Sequence, residues 1–278
     1  MPEMMLNKSS NGTTITTIIT TTTTCAKSEQ SLESLQQLCE QLNEKISAFL
    51  RAEPETELVR RVQCQTAISL QTVHDALERY SPDELAISFN GGKDCLVLLI
   101  IFLAGLAHPT SRRKRASQPL LNAVYVMSAH PFPEVDAFVD VCVPGYHLDL
   151  ARYALPMKKA FETYLREKPG VKAIFVGTRR TDPHGEFLTH FDKTDHGWPE
   201  FMRVHPVIDW QYQEVWAFLR ALKIPYCSLY DKGYTSLGGT TDTHPNPALE
   251  KVATAGGSQF RPAYELVEDE QERLGRDR

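Results

Sequence analysis

The stretch Leu85-Ala86-Ile87-Ser88-Phe89-Asn90-Gly91-Gly92-Lys93-Asp94-Cys95 turns abruptly from an apolar strand into an apolar helix. Residues 85–89 are short and apolar and follow the Ser81-Pro82 breaker, which suits a buried strand, while 94–106 has the length of a buried helix. Asn90-Gly91-Gly92 fits a sharp strand-to-helix turn between them. Two glycines let backbone N–H groups approach phosphate oxygens closely, and the start of a helix adds unpaired amides and a positive dipole end. Lys93 supplies a point charge. An ordinary turn is the plainer alternative for Asn-Gly-Gly. The spacing excludes two other phosphate loops, being neither Gly-x-x-x-x-Gly-Lys-Ser/Thr nor Gly-x-Gly-x-x-Gly.

Downstream the alternation continues. Strands are expected at 123–127, 146–150 and 173–176, and helices at 134–141 and 155–166. The β-α-β-α order predicts an α/β fold: a Rossmann-like open parallel sheet with helices on both faces, ligands lying outside the carboxyl ends of the strands. Upstream, Leu32, Leu35, Leu38, Leu42, Ile46 and Leu50 recur at three and four residues and predict an amphipathic helix. Leu58, Val62, Ile68, Leu70, Val73 and Leu77 predict a second helix over 55–80, and both are scaffold without evident chemistry. Residues 1–27 are dominated by threonine and too poor in large apolar side chains to offset their ordering entropy, so they are expected to be a flexible tail. The remainder, 28–278, is expected to be one domain.

The 278 residues carry 42% hydrophobic and 23% charged side chains, which excludes wholesale disorder and fibrous classes. A net charge of -5 gives no global pull toward nucleic acid or anionic membrane, and neither is expected as a partner. The longest apolar run, 96–107, is too short to span a bilayer as a helix. Six cysteines without a Cys-x-x-Cys pair, an N-terminus without a secretory pattern and a first arginine only at Arg51 lead to the expectation of a cytoplasmic protein with reduced thiols. The basic run Arg112 to Arg115 is taken as a solvated loop rather than a nuclear signal. A monomer is the favoured oligomeric state.

A second polar constellation, Gly177-Thr178-Arg179-Arg180-Thr181-Asp182-Pro183-His184-Gly185, again follows a strand. Adjacent arginines suit bidentate phosphate recognition, against the alternative of a solvated surface loop. Trp198-Pro199, Met202-Arg203-Val204-His205-Pro206 and Asp209-Trp210 bring aromatic and charged groups among which a planar heterocycle could stack. His184, His190 and His196 recur every six residues, which suits neither a helix face nor a zinc site and is ascribed to chance.

The glycine loop resembles the pyrophosphate-binding loop of the adenine-nucleotide α-hydrolase group, usually Ser-Gly-Gly-x-Asp-Ser, with Asn90 and Cys95 in place of the two serines. Cys95 falls in the first turn of a helix, where a thiol pKa is lowered, although space-filling beside the loop is its favoured role. Together with Pro131-Phe132-Pro133-Glu134-Val135-Asp136, Gly177 to Gly185, Met202 to Trp210, Ile224-Pro225-Tyr226-Cys227, Leu229 to Gly238 and Asp242 to Leu249, it resembles the eukaryotic FAD synthase family, within the group similar to phosphoadenylylsulfate reductases. The resemblance implies transfer of AMP from ATP to the 5′-phosphate of FMN, giving FAD and pyrophosphate, with Mg²⁺. It assigns Asn90, Gly91, Gly92 and Lys93 to the leaving phosphates, and Asp94 and Asp182 to Mg²⁺ or a substrate hydroxyl, Asp182 being the preferred metal ligand. Asp195, Trp198 and Arg203 are implied on the flavin side, with core packing as the alternative for Trp198. Further substrate contacts are implied for Met127, Gly177, Thr178, Arg179, Arg180, Asp209, Tyr234, Thr235 and Ser236. Glu272-Arg273-Leu274-Gly275-Arg276 is either a frayed tail or, by resemblance, a flap whose Arg273 and Arg276 serve catalysis at the flavin phosphate. Two alternatives differ in chemistry. A phosphoadenylylsulfate reductase needs a redox cysteine near the C-terminus, absent after Cys227; a non-catalytic flavin or nucleotide sensor has no need of Asp94 and Asp182.

Overall fold

Six strands, β1 (Leu85–Ser88), β2 (Leu121–Val126), β3 (Leu148–Tyr153), β4 (Ala173–Phe175), β5 (Phe191–Lys193) and β6 (Met202–Val204), pair in the order β3-β2-β1-β4-β6-β5. All neighbours are parallel except the terminal β5, which runs antiparallel to β6. The computed structural model describes residues 34–108, 119–195, 197–251 and 259–277, all within one compact unit, Glu33–Arg278. The threonine-rich segment 1–27, the basic run Arg112 to Arg115 and His196 lie outside the described residues.

Alternation along β1 divides the interior into two cores. Leu85 and Ile87 join Ala123, Tyr125 and Phe175 on one face, whereas Ala86, Val124 and Ile174 point to the other. The first face is covered by α3 (Lys93–Gly105), α4 (Pro133–Gly145) and α6 (Tyr212–Ala221); the second is covered by α5 (Met157–Glu167), through Phe161 and Tyr164. Helix α3 is apolar all round, and Leu96 to Gly105 are buried on every side. It can be so because α1 (Leu35–Arg51) and α2 (Glu57–Arg79) cover its outer face, each apolar side chain thus buried contributing about 1.5–3 kcal/mol. Ser34 and Gln37 form a capping box at the start of α1, and Thr56 caps α2 by accepting from the Val59 N–H at 3.2 Å. No helix among the described residues is long and apolar enough to cross a membrane.

The third strand begins at Leu148 rather than 146 because α4 continues through Pro144 to Gly145 and His147 takes a left-handed turn (φ 53) before the chain extends. Strands β5 and β6, unanticipated in the sequence, are three residues each, too short to show alternation; their register comes from pairing, with Arg203 opposite Asp192.

The sheet order positions the site. From β1 the chain moves outward to β2 and β3, then returns to place β4 on the other side of β1. The carboxyl ends of β1 and β4 therefore bound the crevice at a topological switch point, and the two polar segments singled out above are the loops that leave those ends.

Candidate active site

Gly91 has φ 75, and a Cβ there would lie 2.9 Å from Val139, so the turn from β1 into α3 admits little but glycine. Asn90 is exposed, and its Oδ1 accepts the Gly92 N–H at 2.9 Å; the Lys93 N–H donates to the Tyr230 hydroxyl at 2.9 Å. Two of the amides expected to face phosphate thus already have protein partners.

Lys93 departs further from expectation. It is 2% exposed, its Nζ lies 3.0 Å from Asp94 Oδ2 and 2.6 Å from Glu272 Oε1, and the Tyr212 ring centroid is 5.1 Å away. Arg179, fully buried, places Nε 2.9 Å from Asp94 Oδ1 and pairs its Nη2 with Glu272 Oε2. Lys93, Arg179, Asp94 and Glu272 form a closed quartet of two cations and two anions. Burial opposes the Lys93 charge, but Asp94 and Glu272 outweigh it and hold the ammonium above its usual range. Burial likewise opposes ionisation of Asp94, and Arg179 and Lys93 override it, so its carboxyl sits low. The expected point charge is thus paired inside the protein with Asp94 and Glu272, on the wall of a cavity.

Asp182 has the opposite electrostatics. Its Oδ2 accepts the Arg179 N–H at 2.9 Å, yet burial and then the Asp94 charge push its carboxyl above the ordinary value. Cys95 is also raised, to about 12, by burial and then by Asp94; this corrects the expectation of a helix-start thiol with lowered pKa. Cys95 is a thiol that fills space against Gly177, where a Cβ would lie 2.9 Å from Cys95 N and Sγ.

Two cavities meet here. One, of about 400 Å³, is walled by Phe161, Trp198 and Phe201 with Asp195, Arg203 and His205. Phe161 stands 6.5 Å from Trp198 and 5.3 Å from Phe201 between ring centroids, and Trp198 is 37% exposed, which places it on the cavity wall and not in the core. Arg203 Nη2 donates to the Lys193 carbonyl at 3.3 Å, and its Nε is buried without a hydrogen-bond partner. The other cavity, of about 460 Å³, is walled by Gly92, Lys93, Asp94, Met127, Ser236 and Arg273, with Arg276 beside them. Asn90, Cys95, Gly177 and Asp182 line both.

The remaining site expectations divide. Thr178 lines the first cavity. Arg180 does not act as a pair with Arg179: its Nε binds Asp209 at 2.7 Å and its Nη1 binds the carbonyls of Glu186 and Leu188, so Arg180 and Asp209 tie the loop together outside both cavities. Thr235 is buried and donates to the Glu272 carbonyl, while Tyr234 packs on Phe132 at 5.4 Å; neither lines either of these two cavities. Cys227 is buried with its Sγ donating to the Glu134 carbonyl at 3.7 Å. Sequence reasoning missed Glu272, Tyr230 and His205. The position of Glu272 beside Arg273 was the available signal; Tyr230 and His205 gave none beyond membership of polar, aromatic stretches.

His205 carries a pH prediction. Its Nδ1 lies 3.0 Å from the Thr189 carbonyl, which requires the proton there, and burial holds the ring below its usual value despite that bond. The unfolded chain therefore binds the extra proton more readily. The neutral ring's contribution is complete above about 6.5 and is lost as pH falls below that toward the depressed folded value. In thermal melts from pH 7.5 to 5.5, the midpoint of His205→Asn is expected to fall less than that of the parent; equal slopes would refute the assignment.

A strand-loop-helix turn and a second polar loop at the switch point of a parallel sheet define an open α/β domain whose ligand crevice lies between those two loops. Residues 84–245 match the phosphoadenosine phosphosulfate reductase domain. A probable FAD synthase of Schizosaccharomyces pombe is 43% identical over 228 residues, 82% of this chain and 84% of that protein. One from Caenorhabditis briggsae is 38% identical over 73% of this chain but only 38% of that longer protein. The crystal structure of Candida glabrata FMN adenylyltransferase in complex with FMN and the ATP analogue AMPCPP superimposes with a TM-score of 0.82 at 28% identity, covering 89% of this chain and 98% of that one. The chain belongs to the phosphoadenosine phosphosulfate reductase domain family and, within it, to the FAD synthases.

Proposed function

We propose that the chain is an FMN adenylyltransferase: a 5′-phosphate oxygen of FMN attacks the α-phosphorus of ATP, the bond to the β-phosphate oxygen breaks, and FAD and pyrophosphate leave. One observation carries this reading: the aromatic cavity and the phosphate-loop cavity share Asn90, Gly177 and Asp182, so two ligands bound in them would meet there. The aromatic cavity is assigned to the isoalloxazine ring, with Trp198 against its face and Asp195 and Arg203 at its polar edge. The loop cavity is assigned to ATP, with Asn90, Gly92 and Ser236 near the phosphates and Arg273 and Arg276 at the phosphate-facing wall.

Such a reaction asks the protein for alignment and for neutralisation of developing charge. No covalent intermediate is needed, and a Cys95 thiol raised to about 12 is no nucleophile at neutral pH. Asp182 would be the residue to hold Mg²⁺ beside the phosphates, where the cation would supply neutralisation of their charge. Asp182 fits its hard-oxygen preference, being a half-buried carboxylate whose charge is disfavoured until a cation arrives. Asp94 fits less well, since Lys93 and Arg179 already stand beside its two oxygens. No cluster of three or more His, Cys, Asp or Glu among the described residues could hold a metal alone, in keeping with a cation shared with substrate phosphates. A cytoplasmic monomer completes the proposal.

The test is chromatographic: FMN, ATP and Mg²⁺ with the purified chain, scoring FAD and pyrophosphate, against a control without metal. Metal-dependent FAD is expected. Trp198→Ala is expected to raise the KM for FMN about tenfold while kcat changes less, the loss of one aromatic stacking contact. Tight FMN or ATP binding without FAD would instead favour a sensor.

A further inference from the structure

Glu272 lies in a segment rich in charge near the end of the chain, yet it is 6% exposed, and its carboxylate closes the Lys93–Arg179 pair from the side opposite Asp94. Lys93 opens α3 and Arg179 follows β4, so this one side chain ties the C-terminal segment to both loops of the switch point. The backbone around it is fastened independently to 235–246. Thr235 Oγ1 donates to the Glu272 carbonyl at 2.6 Å, Asn246 Nδ2 to the Gln271 carbonyl at 2.7 Å, and the His244 N–H to the Gly275 carbonyl at 2.8 Å. Arg276 lies against Gly238, where a Cβ would come within 2.3 Å of its guanidinium, and pairs with Asp242 at 3.3 Å. Between these fastenings Arg273 faces the loop cavity, and Arg276, held by its pair with Asp242, lines it as well. Thr235 and Asn246 hold the main chain; Glu272 links the segment to the phosphate loop itself.

We propose that Glu272 is a positioning residue for adenylyl transfer: by completing the buried quartet it seats the C-terminal segment so that Arg273 and Arg276 reach the reacting phosphates. The inference rests on the assignment of the loop cavity to ATP. It also explains why a carboxylate stands beside a phosphate site without repelling the substrate, since its charge is consumed by Lys93 and Arg179, leaving Arg273 as the cation open to the cavity while Arg276 is shared with Asp242.

The test uses the full chain as Glu272→Ala, Glu272→Gln, Arg273→Ala and the double variant Glu272→Ala with Arg273→Ala. Measured are FAD turnover, Mg²⁺-ATP affinity, melting midpoint and amide hydrogen exchange over 269–277. Glu272→Ala is expected to lower kcat about tenfold or more, the scale of a charge-assisted bond. The double variant is expected to be no slower than the poorer single variant by more than about twofold, because both remove the same contribution. Exchange over 269–277 should rise more than in β1 and β4, and Glu272→Gln, which keeps length and a hydrogen bond, should recover part of kcat. Multiplicative losses in the double variant, or unchanged exchange over 269–277, would overturn the proposal. If the parent forms no FAD, the catalytic reading fails, and exchange with ATP affinity still decides whether Glu272 and Arg273 act as one unit. Should Glu272→Ala not fold, Glu272→Gln combined with Arg273→Ala carries the same comparison.

Discussion

Lys93→Ala is expected to destabilise the protein by about 3–5 kcal/mol, the cost of removing one partner from a buried ion pair, rather than simply to weaken nucleotide binding. The Lys93 side chain is 2% exposed and those of Asp94 and Glu272 are 20% and 8% exposed, so its loss leaves two carboxylates facing a single cation, Arg179, in a poorly hydrated place. At roughly 2–4 °C per kcal/mol for a chain of this size, the melting midpoint should drop by about 6–20 °C. Lys93→Met retains most of the apolar stem and should do little better, since the charge is what the quartet lacks. Lys93→Met combined with Glu272→Gln removes one charge of each sign, leaves Arg179 with Asp94, and should recover part of the midpoint. Denaturation of the three variants checks the argument. A midpoint for Lys93→Ala within a degree or two of the parent would show that the ammonium is free for ligand after all.

The pairing of Lys93 shows where sequence and structure part. The Asn-Gly-Gly turn, the buried helix after it and the parallel alternation were legible because each rests on a local property: left-handed freedom at Gly91, uninterrupted apolarity from Leu96 onward, and strand-length runs between breakers. The meeting of the two polar loops was legible too, since strand ends in such sheets converge at the switch point. Charge partners were not. Lys93 and Glu272 are 179 positions apart, and nothing local distinguishes a lysine that will meet phosphate from one that will meet a distant glutamate. Arg179 and Arg180 make the same point at close range. Neighbours in sequence leave a loop in opposite directions, so one is buried with Asp94 while the other turns outward to Asp209. Trp198 was legible as a loop tryptophan between Gly197 and Pro199, because neither neighbour favours a packed helix or strand.

Asp182→Asn is expected to separate activity from stability with opposite signs. The asparagine can still accept the Arg179 N–H that Asp182 Oδ2 accepts at 2.9 Å, so the loop keeps its shape. The charge, by contrast, is disfavoured in the folded protein: burial and the neighbouring Asp94 raise the Asp182 carboxyl above its ordinary value. A group whose folded pKa exceeds its unfolded one binds protons more readily when folded, so at pH 7 its ionised form works against the fold. Neutralising it should therefore leave the melting midpoint unchanged or raised, the pattern of a residue kept for function at a cost in stability. Turnover should fall by about 10²–10³, the scale of removing one preorganised electrostatic contact to a transition state, and should do so mainly in kcat. Because hard oxygen ligands suit magnesium and Asp182 lines both cavities, the Mg²⁺ concentration at half-maximal rate should also rise. Parent-like kcat with a lowered midpoint would reverse both signs and make Asp182 a structural carboxylate. Lost kcat with an unshifted Mg²⁺ requirement would keep it at the reacting phosphates but assign it to a substrate hydroxyl rather than to the metal.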